Sequence, residues 1–440
     1  MKHLQKILYS LPFLVGFLSC TVDKTDDQYL EKPGTTVQVM LNLSIPNSEL
    51  PPATRAIHTD ESAIHSLYVL EFENGILKGK SDITDKFNNA KGKRIYISIE
   101  ETEKDIILAV VANSNITNIE KGTEKTAALK QLTYTNANGL SVIPMYGESK
   151  VFEGISKDNS YDISMDLIRA TAKIEVQYSS TQTEKEFTFL GIKVLNTNTN
   201  GYVSNIGIPS GQNITESISA NPVNTGEMKT ASVYVPETIN NSSNKISVLI
   251  HGRYKGDDCW YRLDMIKDEK NSLVDKLERN YRYVFALQNI NFPGRSEQDA
   301  LKGEADNKAI EARLMTLSAA EADILDITTD DYYFLGVNSA ILQLTDNGEI
   351  CFVKLKILTN NTSEGWVIVD APEGVTFNPG RTGGTAATED LRAVSSVWIY
   401  IDTKVVKEDF NFYITTKKIR KTIKIIMPDK QHKNTDYGNT

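Results

Sequence analysis

Residues 36–45 read TVQVMLNLSI, and this short stretch decides the class of fold. Every second side chain is apolar, and apart from Met40 the residues between them are polar. Because alternate side chains of an extended strand point to opposite faces, this pattern predicts a β-strand with one buried face. The residues expected to point into the core are Val37, Val39, Leu41, Leu43 and Ile45.

Similar short runs recur along the chain and are separated by turn-forming residues. Examples are LYVLEF at 67–72, RIYISI at 94–99, FTFLGIKVL at 187–195 and ICFVKLKIL at 350–358. Short strands between turns favour β-sandwiches over alternating βαβ units, so we predict an all-β protein. One stretch, TEKTAALKQ at 123–131, is compatible with a short helix.

The length and charge of the chain limit its organisation and its partners. A chain of 440 residues is too long for one hydrophobic core, and we expect three folded domains. The net charge of -9 disfavours nucleic acid and anionic membranes as general partners, because both reward basic patches.

The N-terminus has the form of a secretory signal that ends at a cysteine. Lys2 and Lys6 precede an apolar run at 7–18, which a small residue separates from Cys20. The run is too short to span a bilayer comfortably. A small residue before Cys is typical of bacterial lipoprotein signals, so we predict Cys20 as a lipid attachment site. The alternative is ordinary cleavage nearby, with Cys20 incidental.

No pattern in the sequence predicts catalysis, a bound metal or another cofactor. His58 and His65 are seven residues apart, without a ligand spacing such as HExxH. Residues 380–385 read GRTGGT and lack the GK[ST] ending of a phosphate loop. The acidic pairs at 257–258 and 330–331 lie outside an EF-hand frame and are expected in turns. We therefore expect no catalytic residue, no metal ligand and no enzymatic activity.

Cysteine and tryptophan leave two questions open. Cys259 and Cys351 either form one bridge, which an export pathway permits, or stay as separate thiols. Trp260, Trp366 and Trp398 are expected mainly as core residues. Among them, Trp260 follows two aspartates and is the best candidate for a ligand platform.

Seven segments keep a recognisable order and spacing over residues 20–292. They are the leader up to Cys20, LYVLEFENG at 67–75, IILAVVANS at 106–114, IPMYGE at 143–148, LIRATAKIEV at 167–176, VYVPE at 233–237 and RNYRYVFALQNI at 279–290. Together they resemble the Bacteroides-type fimbrillin family, the lipoprotein-derived pilins of type V pili. The resemblance implies two transthyretin-like, Greek-key β-sandwiches, and it stops at about residue 292.

The resemblance also implies a maturation step. Members of that family are exported as lipoproteins and cut by an Arg-specific surface protease after an Arg in the loop that follows the first strand. A strand from a neighbouring subunit then fills the opened groove. Arg55 followed by Ala56 matches this position, so the resemblance implies cleavage between them; an uncut loop is the alternative.

Loss of the first strand would be energetically large. Burying the five apolar residues of 36–45 contributes roughly 7 to 15 kcal/mol as an upper estimate, comparable with the whole stability of a domain. An empty groove is therefore not expected to persist, and its open sheet edges would pair with another chain.

The C-terminal region contains about seven strand patterns in roughly 120 residues, which is typical of an immunoglobulin-like β-sandwich. The predicted organisation of the whole chain is a lipoprotein signal at 1–20, a tether and first strand removed on maturation at 21–55, an N-terminal β-sandwich at 56–167, a second β-sandwich at 168–292, a linker at 293–309, an immunoglobulin-like β-sandwich at 310–428 and a polar tail at 429–440.

The long C-terminal extension differs from a two-domain shaft pilin and indicates an accessory or tip subunit of the pilus. Its expected partners are other pilus subunits, an Arg-specific surface protease, and a host or bacterial surface protein or glycan bound by the last domain. The precursor is expected as an outer membrane lipoprotein, and the mature protein on the cell surface in the fimbrium. Two alternatives stay open: a membrane-bound anchor that keeps Cys20, and a monomeric glycan-binding lipoprotein.

Overall fold

The computed structural model describes most of the chain, in the ranges 35–45, 63–89, 94–136, 140–179, 186–210, 214–215, 217–225, 228–266, 273–306, 308–318, 321, 324–330, 333–344, 348–385 and 392–428. Cys20, Arg55 and Ala56 lie outside the described residues, as do the predicted signal and tail. The described ranges are mostly β-strand, as the sequence predicted, with a few short helices. None of the helices in these ranges is long and apolar enough to cross a membrane.

The first sandwich consists of two sheets that share one apolar core. Its elements are β1 Thr36–Ser44, β2 Leu67–Glu73, β3 Ile76–Asp82, α1 Thr84–Asn89, β4 Arg94–Glu100, β5 Thr102–Ala112, α2 Lys125–Gln131, β6 Thr133–Thr135, β7 Met145–Glu148, β8 Phe152–Ile155, β9 Tyr161–Asp166 and β10 Ile168–Arg169. One sheet has the order β4-β1-β9, with β1 in the middle. The other has the order β10-β7-β5-β2-β3, and β8 pairs with β5.

The second face of the larger sheet is also covered, which explains why β5 is apolar on both sides. Helix α2 packs there with Ala128 and Leu129 against the outward residues Ala109 and Val111 of β5. The side chain of Glu124 caps this helix by accepting hydrogen bonds from the backbone N–H of the two residues that follow Lys125, both at 2.9 Å. The short helix expected near 123–131 is confirmed.

The second sandwich also has two sheets around one core. Its strands are β11 Thr171–Ser179, β12 Phe187–Leu195, β13 Thr197–Asn198, β14 Asn200–Tyr202, β15 Ile214–Thr215, β16 Ile218–Ala220, β17 Val223–Thr225, β18 Met228–Pro236, β19 Thr238–Ile239, β20 Ser247–Tyr254, β21 Asp257–Asp264, β22 Lys276–Leu277 and β23 Arg282–Ile290. The sheet orders are β16-β12-β20-β21 and β17-β18-β11-β23, and β14 pairs with β6 of the first sandwich.

The predicted linker at 293–309 is packed against the second sandwich rather than free of it. It contains α3 Glu297–Lys302, and the backbone groups of Arg295 and Trp260 exchange hydrogen bonds of 2.8 and 2.9 Å. Asp306 accepts a hydrogen bond of 2.7 Å from the backbone N–H of Arg262. These bonds tie the segment along β21.

The next strand, β24 Ile310–Leu317, pairs antiparallel with β23 and extends the sheet of the second sandwich. The sequence analysis placed residues from 310 onward in the last domain. The structure differs because Ile310 packs in the core of the second sandwich, and Met315 and Leu317 pack on the outer face of the same sheet.

The third sandwich is formed by the remaining strands. They are β25 Asp326–Thr329, β26 Phe334–Val337, β27 Ile341–Gln343, β28 Ile350–Thr359, β29 Trp366–Val369, β30 Val375–Asn378, β31 Thr382–Gly383, β32 Ala393–Asp402, β33 Phe410–Thr416 and β34 Ile419–Ile426. They form two five-stranded sheets, β25-β26-β28-β32-β30 and β27-β34-β33-β29-β31, with a common apolar core.

A buried polar cluster joins the second and third sandwiches. Glu175, 1% exposed, forms ion pairs with Arg282 at 2.6 Å and with Lys173 at 3.1 Å. Gln177 and Arg282 also donate hydrogen bonds to the backbone carbonyl of Leu325 at the start of the third sandwich. Burial alone would raise the pKa of Glu175, but the two cations outweigh it and hold that pKa below its ordinary value.

We expect Glu175→Gln to lower the free energy of unfolding by about 3 to 5 kcal/mol near neutral pH, because it leaves Arg282 buried without its counter-charge. Tryptophan fluorescence during urea unfolding measures this, since all three Trp lie in the second and third sandwiches. The matched control is Glu349→Gln, whose partner Lys404 is 65% exposed and whose loss should cost at most about 1 kcal/mol. Equal effects of the two substitutions would contradict the prediction.

The same carboxylate predicts a pH dependence with a definite sign. The pKa of Glu175 in the folded protein lies below its ordinary value of 4.5. The ionised carboxylate therefore contributes its full stabilisation above pH 4.5, and this stabilisation is lost as the pH falls through the folded pKa. The difference between wild type and Glu175→Gln should therefore shrink progressively in acid. Urea unfolding at a series of pH values checks this, and a difference that stays constant into acid would count against the proposed ionised pair.

Candidate functional site

Strand β1 occupies the centre of its sheet and uses both of its edges. It pairs antiparallel with β4 from Thr36 opposite Glu100 to Asn42 opposite Arg94. It pairs parallel with β9 along residues 39–44. Within the described residues, β1 is the only strand neighbour of either β4 or β9. The three-stranded sheet therefore depends on β1 for its continuity.

The inner face of β1 is buried as the alternation in the sequence predicted. Its four apolar side chains, together with Ile45 directly after the strand, are at most 5% exposed, and they pack with residues of β2 and β5 such as Leu67 and Leu108. The members of this inner face are Val37, Val39, Leu41, Leu43 and Ile45. No side chain of this row is polar, so the inner face of the strand is held by apolar contact.

The outer face of β1 is polar and forms side-chain hydrogen bonds with both neighbours. Gln38 Nε2 donates to Ser98 Oγ of β4 at 2.7 Å. On the other side, Asn42 Nδ2 donates to a carboxylate oxygen of Asp162, and Ser44 Oγ donates to a carboxylate oxygen of Asp166.

We call the space that β1 occupies the β1 groove: it is bounded by the facing edges of β4 and β9 and floored by the core residues of β2 and β5. Taking β1 away would uncover a row of apolar side chains and leave the backbone groups of two strands unpaired. Both changes are costly in water and are reversed by a strand of similar pattern. The groove is therefore suited to binding a β-strand.

The predicted processing site lies on the segment that follows β1 in the chain. Arg55 and Ala56 lie between Ile45 and the next described residue, Ala63, on the connection from β1 to β2. A cut anywhere on this connection separates β1 covalently from the rest of the sandwich. The cleavage itself stays a prediction, as does lipid attachment at Cys20.

Trp260, the best ligand-platform candidate from sequence, is 8% exposed. Its ring stacks on His251 with centroids 4.2 Å apart, and Lys193 Nζ lies 5.0 Å from its centroid. It packs with Ala300 of α3, so the packed segment at 293–309 covers a residue that the sequence left open to a ligand.

An exposed aromatic group lies instead on the third sandwich, where the sequence analysis did not place one. Phe352 on β28 is 56% exposed and Trp398 on β32 is 38% exposed, with ring centroids 5.7 Å apart. Tyr400 lies 6.2 Å from Phe352, and Ile350 beside it is 60% exposed. Strand alternation contained this signal, because Cys351 and Ile399 next to them face the core.

The cysteines and acidic residues singled out in the sequence lie in surroundings typical of structural residues. Cys259 and Cys351 are both buried and both free, so the thiol alternative describes them. Asp258 contacts His251 Nε2 at 2.9 Å near the turn between β20 and β21. Among the described residues, no group of three or more His, Cys, Asp or Glu side chains is placed to hold a metal ion.

Comparisons with known proteins give structural matches only. No family model matches the chain, and no curated protein matches it. In architecture it is similar to fimbrial proteins of the Bacteroidetes over about 64% of its length. The tip fimbrial protein Mfa3 from Porphyromonas gingivalis, in a C-terminally truncated form, aligns with 16% identity and a TM-score of 0.43, covering 64% of this chain and all of that one (100%).

Two further structures illustrate the range of these matches. The fimbrial anchor protein Mfa2 from Porphyromonas gingivalis aligns with 16% identity and a TM-score of 0.32, covering 58% of this chain and 92% of that one. A fimbrial assembly protein from Parabacteroides distasonis aligns with 15% identity and a TM-score of 0.38, covering 68% of this chain and 100% of that one.

The position of β1 predicts different costs for substitutions on its two faces. Leu41→Ala should lower the free energy of unfolding of the first sandwich by about 2 to 5 kcal/mol, because it opens a cavity in the core. Met40→Ala, on the half-exposed outer face, should cost less than about 1 kcal/mol. Urea unfolding followed by circular dichroism measures both. Similar costs at the two positions would mean that β1 is not seated as described.

Proposed function

We propose that this protein is a non-enzymatic subunit of a type V fimbria that is assembled by strand addition into the β1 groove. In the proposed pathway, an Arg-specific surface protease cuts after Arg55, β1 leaves with the N-terminal segment, and a strand from a neighbouring subunit takes its place. The observation that carries the proposal is the central position of β1 between β4 and β9. The sequence that follows β1 is typical of an exposed loop, where a protease can cut. An internal strand followed by such a loop is suited to replacement.

The last strand in the described part of the chain, β34, is not suited to donation. β34 lies between β27 and β33, and its residues Ile419, Ile423 and Ile425 belong to the core of the third sandwich. Donating β34 to another subunit would remove that core, at a cost comparable with the stability of the sandwich. Donation of β34 is therefore not expected, and a subunit that accepts a strand without giving up β34 fits the proposed tip or accessory position.

A second function, adhesion, is favoured by the exposed aromatic group on the third sandwich. The ring of Phe352 lies close to those of Trp398 and Tyr400, so three aromatic side chains form one group on the outer face of a sheet, and exposed apolar groups of this kind often mark binding sites. We propose that this face contacts a surface protein or glycan of a host or bacterium. This adhesive function would accompany the function as a fimbrial subunit, or would be the function of a monomeric lipoprotein.

N-terminal sequencing of protein recovered from the outer cell surface, together with a test for lipid, separates these roles. We expect a start at Ala56, no lipid, and incorporation into fibres. A lipidated start at Cys20 with Arg55 uncut would overturn the proposed maturation. In that case fibre association would indicate an anchor, and a monomer with saturable carbohydrate binding would indicate a glycan-binding lipoprotein.

The adhesive role predicts that Trp398→Ala reduces binding of the purified protein to a glycan array or to target cells by about tenfold, as loss of a central aromatic contact does in other interfaces. Tyr96→Ala is the matched control, because Tyr96 is 58% exposed on β4 of the first sandwich. Equal binding by wild type and Trp398→Ala would exclude this face as the adhesive surface.

A further inference from the structure

We propose that Asp162 and Asp166 on β9 select the strand that enters the β1 groove, by requiring hydrogen-bond donors or cations where Asn42 and Ser44 now lie. This inference rests on the proposed function, because it concerns the strand that replaces β1. The occupant is an extended segment of another subunit. It carries five inward apolar residues and no carboxylate at these two outward positions.

The apolar face of the groove cannot fix the register of an incoming strand by itself. The inward side chains of β1 repeat every two residues, so a strand that slips by two residues still points apolar side chains into the core. Such a slip would shorten the pairing at one end, but it would bury most of the same surface. A second set of contacts is needed to distinguish the registers, and it must lie on the outward face.

The outward contacts of β1 with β9 supply that distinction. Asn42 Nδ2 donates to Asp162, and Ser44 Oγ donates to Asp166, which is also the residue directly opposite Ser44 in the parallel register. Both carboxylates belong to exposed residues. An ionised carboxylate only accepts hydrogen bonds, so a donor at each of these positions is favoured over another acceptor.

The two positions differ in what else they face. Asn42 lies opposite Arg94 on β4, so an uncharged donor suits this position, between a cation on one side and a carboxylate on the other. Ser44 lies beyond the last described pair with β4, and on the β9 side its side chain donates to Asp166 while its backbone carbonyl accepts from the N–H of Leu167 at 2.7 Å. Asp166 therefore attracts a lysine at 44 and repels an aspartate or glutamate there. Opposite charges on facing strands attract and like charges destabilise the pair.

The test uses the full chain cut after Arg55 and an excess of fluorescent peptides that correspond to residues 36–45. The native peptide, a Ser44→Asp peptide and a Ser44→Lys peptide compete for the groove. We expect the Ser44→Asp peptide to bind about tenfold more weakly than the Ser44→Lys peptide, in line with facing charge pairs. The difference should diminish at about 1 M salt, where exposed charges are screened.

Two matched controls assign the effect to the carboxylate on β9. In the Asp166→Asn chain, the Asp and Lys peptides should bind within about twofold of each other, because the charge that distinguishes them is gone. A Gln38→Asp peptide should bind within about threefold of the native one, because Gln38 faces the neutral Ser98. Asp166 is exposed, so its substitution leaves the core intact.

The outcomes separate this inference from the proposed function. If all three peptides enter the groove with equal affinity, strand replacement stands and selection by Asp166 is overturned. If the cut chain keeps its own β1 and binds none of the peptides, strand replacement is overturned, and the selection rule with it. A charge preference that persists in Asp166→Asn would also contradict the assignment.

Discussion

The structure of the first sandwich depends on one strand that is central in its sheet but close to the N-terminus of the chain. β1 and the adjacent Ile45 bury five apolar side chains, and β1 pairs along both edges, so its position combines burial of apolar area with satisfied backbone groups. A central strand is normally the least replaceable part of a sheet. Here β1 is joined to β2 by a long connection, so a single cut separates it from the rest of the sandwich. The contacts that β1 makes in the sandwich also define the side chains that a replacing strand would need.

The second sandwich shows the same pairing without this separability. β11 pairs antiparallel with β18 and parallel with β23, as β1 does with β4 and β9. However, β11 follows directly on β10 of the first sandwich, and β24 covers the far edge of β23. The buried cluster of Glu175 and Arg282 then fixes the third sandwich against the same sheet. In the described residues, the strand proposed to be replaced thus lies in the first sandwich, and the third sandwich contacts the second through this buried cluster.

Much of this architecture could be predicted from the sequence, because it depends on local alternation. The pattern of TVQVMLNLSI correctly predicted the buried face of β1, and the short helix at α2 was found from its composition. Alternation does not give sheet order, so the central position of β1 and its parallel pairing with β9 were beyond local reasoning. Nor could it show that Asn42 and Ser44 meet carboxylates more than a hundred residues away.

The main departures from the sequence analysis have the same origin. The charged segment at 293–309 lacks a strand pattern, but it binds β21 through backbone groups, which leave no trace in side-chain periodicity. Trp260 was the best candidate for a ligand platform among three Trp expected mainly in the core, but it is buried and a helix distant in sequence covers it. Conversely, Phe352 and Trp398 are exposed because both fall on the outward phase of their strands. For these two residues, position in the strand rather than residue type decides exposure.

Hydrogen exchange of the backbone amides of β4 and β9 tests the central claim most directly. The chain is cut after Arg55, and exchange is measured with the N-terminal segment bound, after its separation, and after addition of a peptide of residues 36–45. We predict protection of β4 and β9 in the first state, its selective loss in the second while β11 and β23 stay protected, and its return in the third. Amides of β4 and β9 that remain protected without the segment would contradict the account.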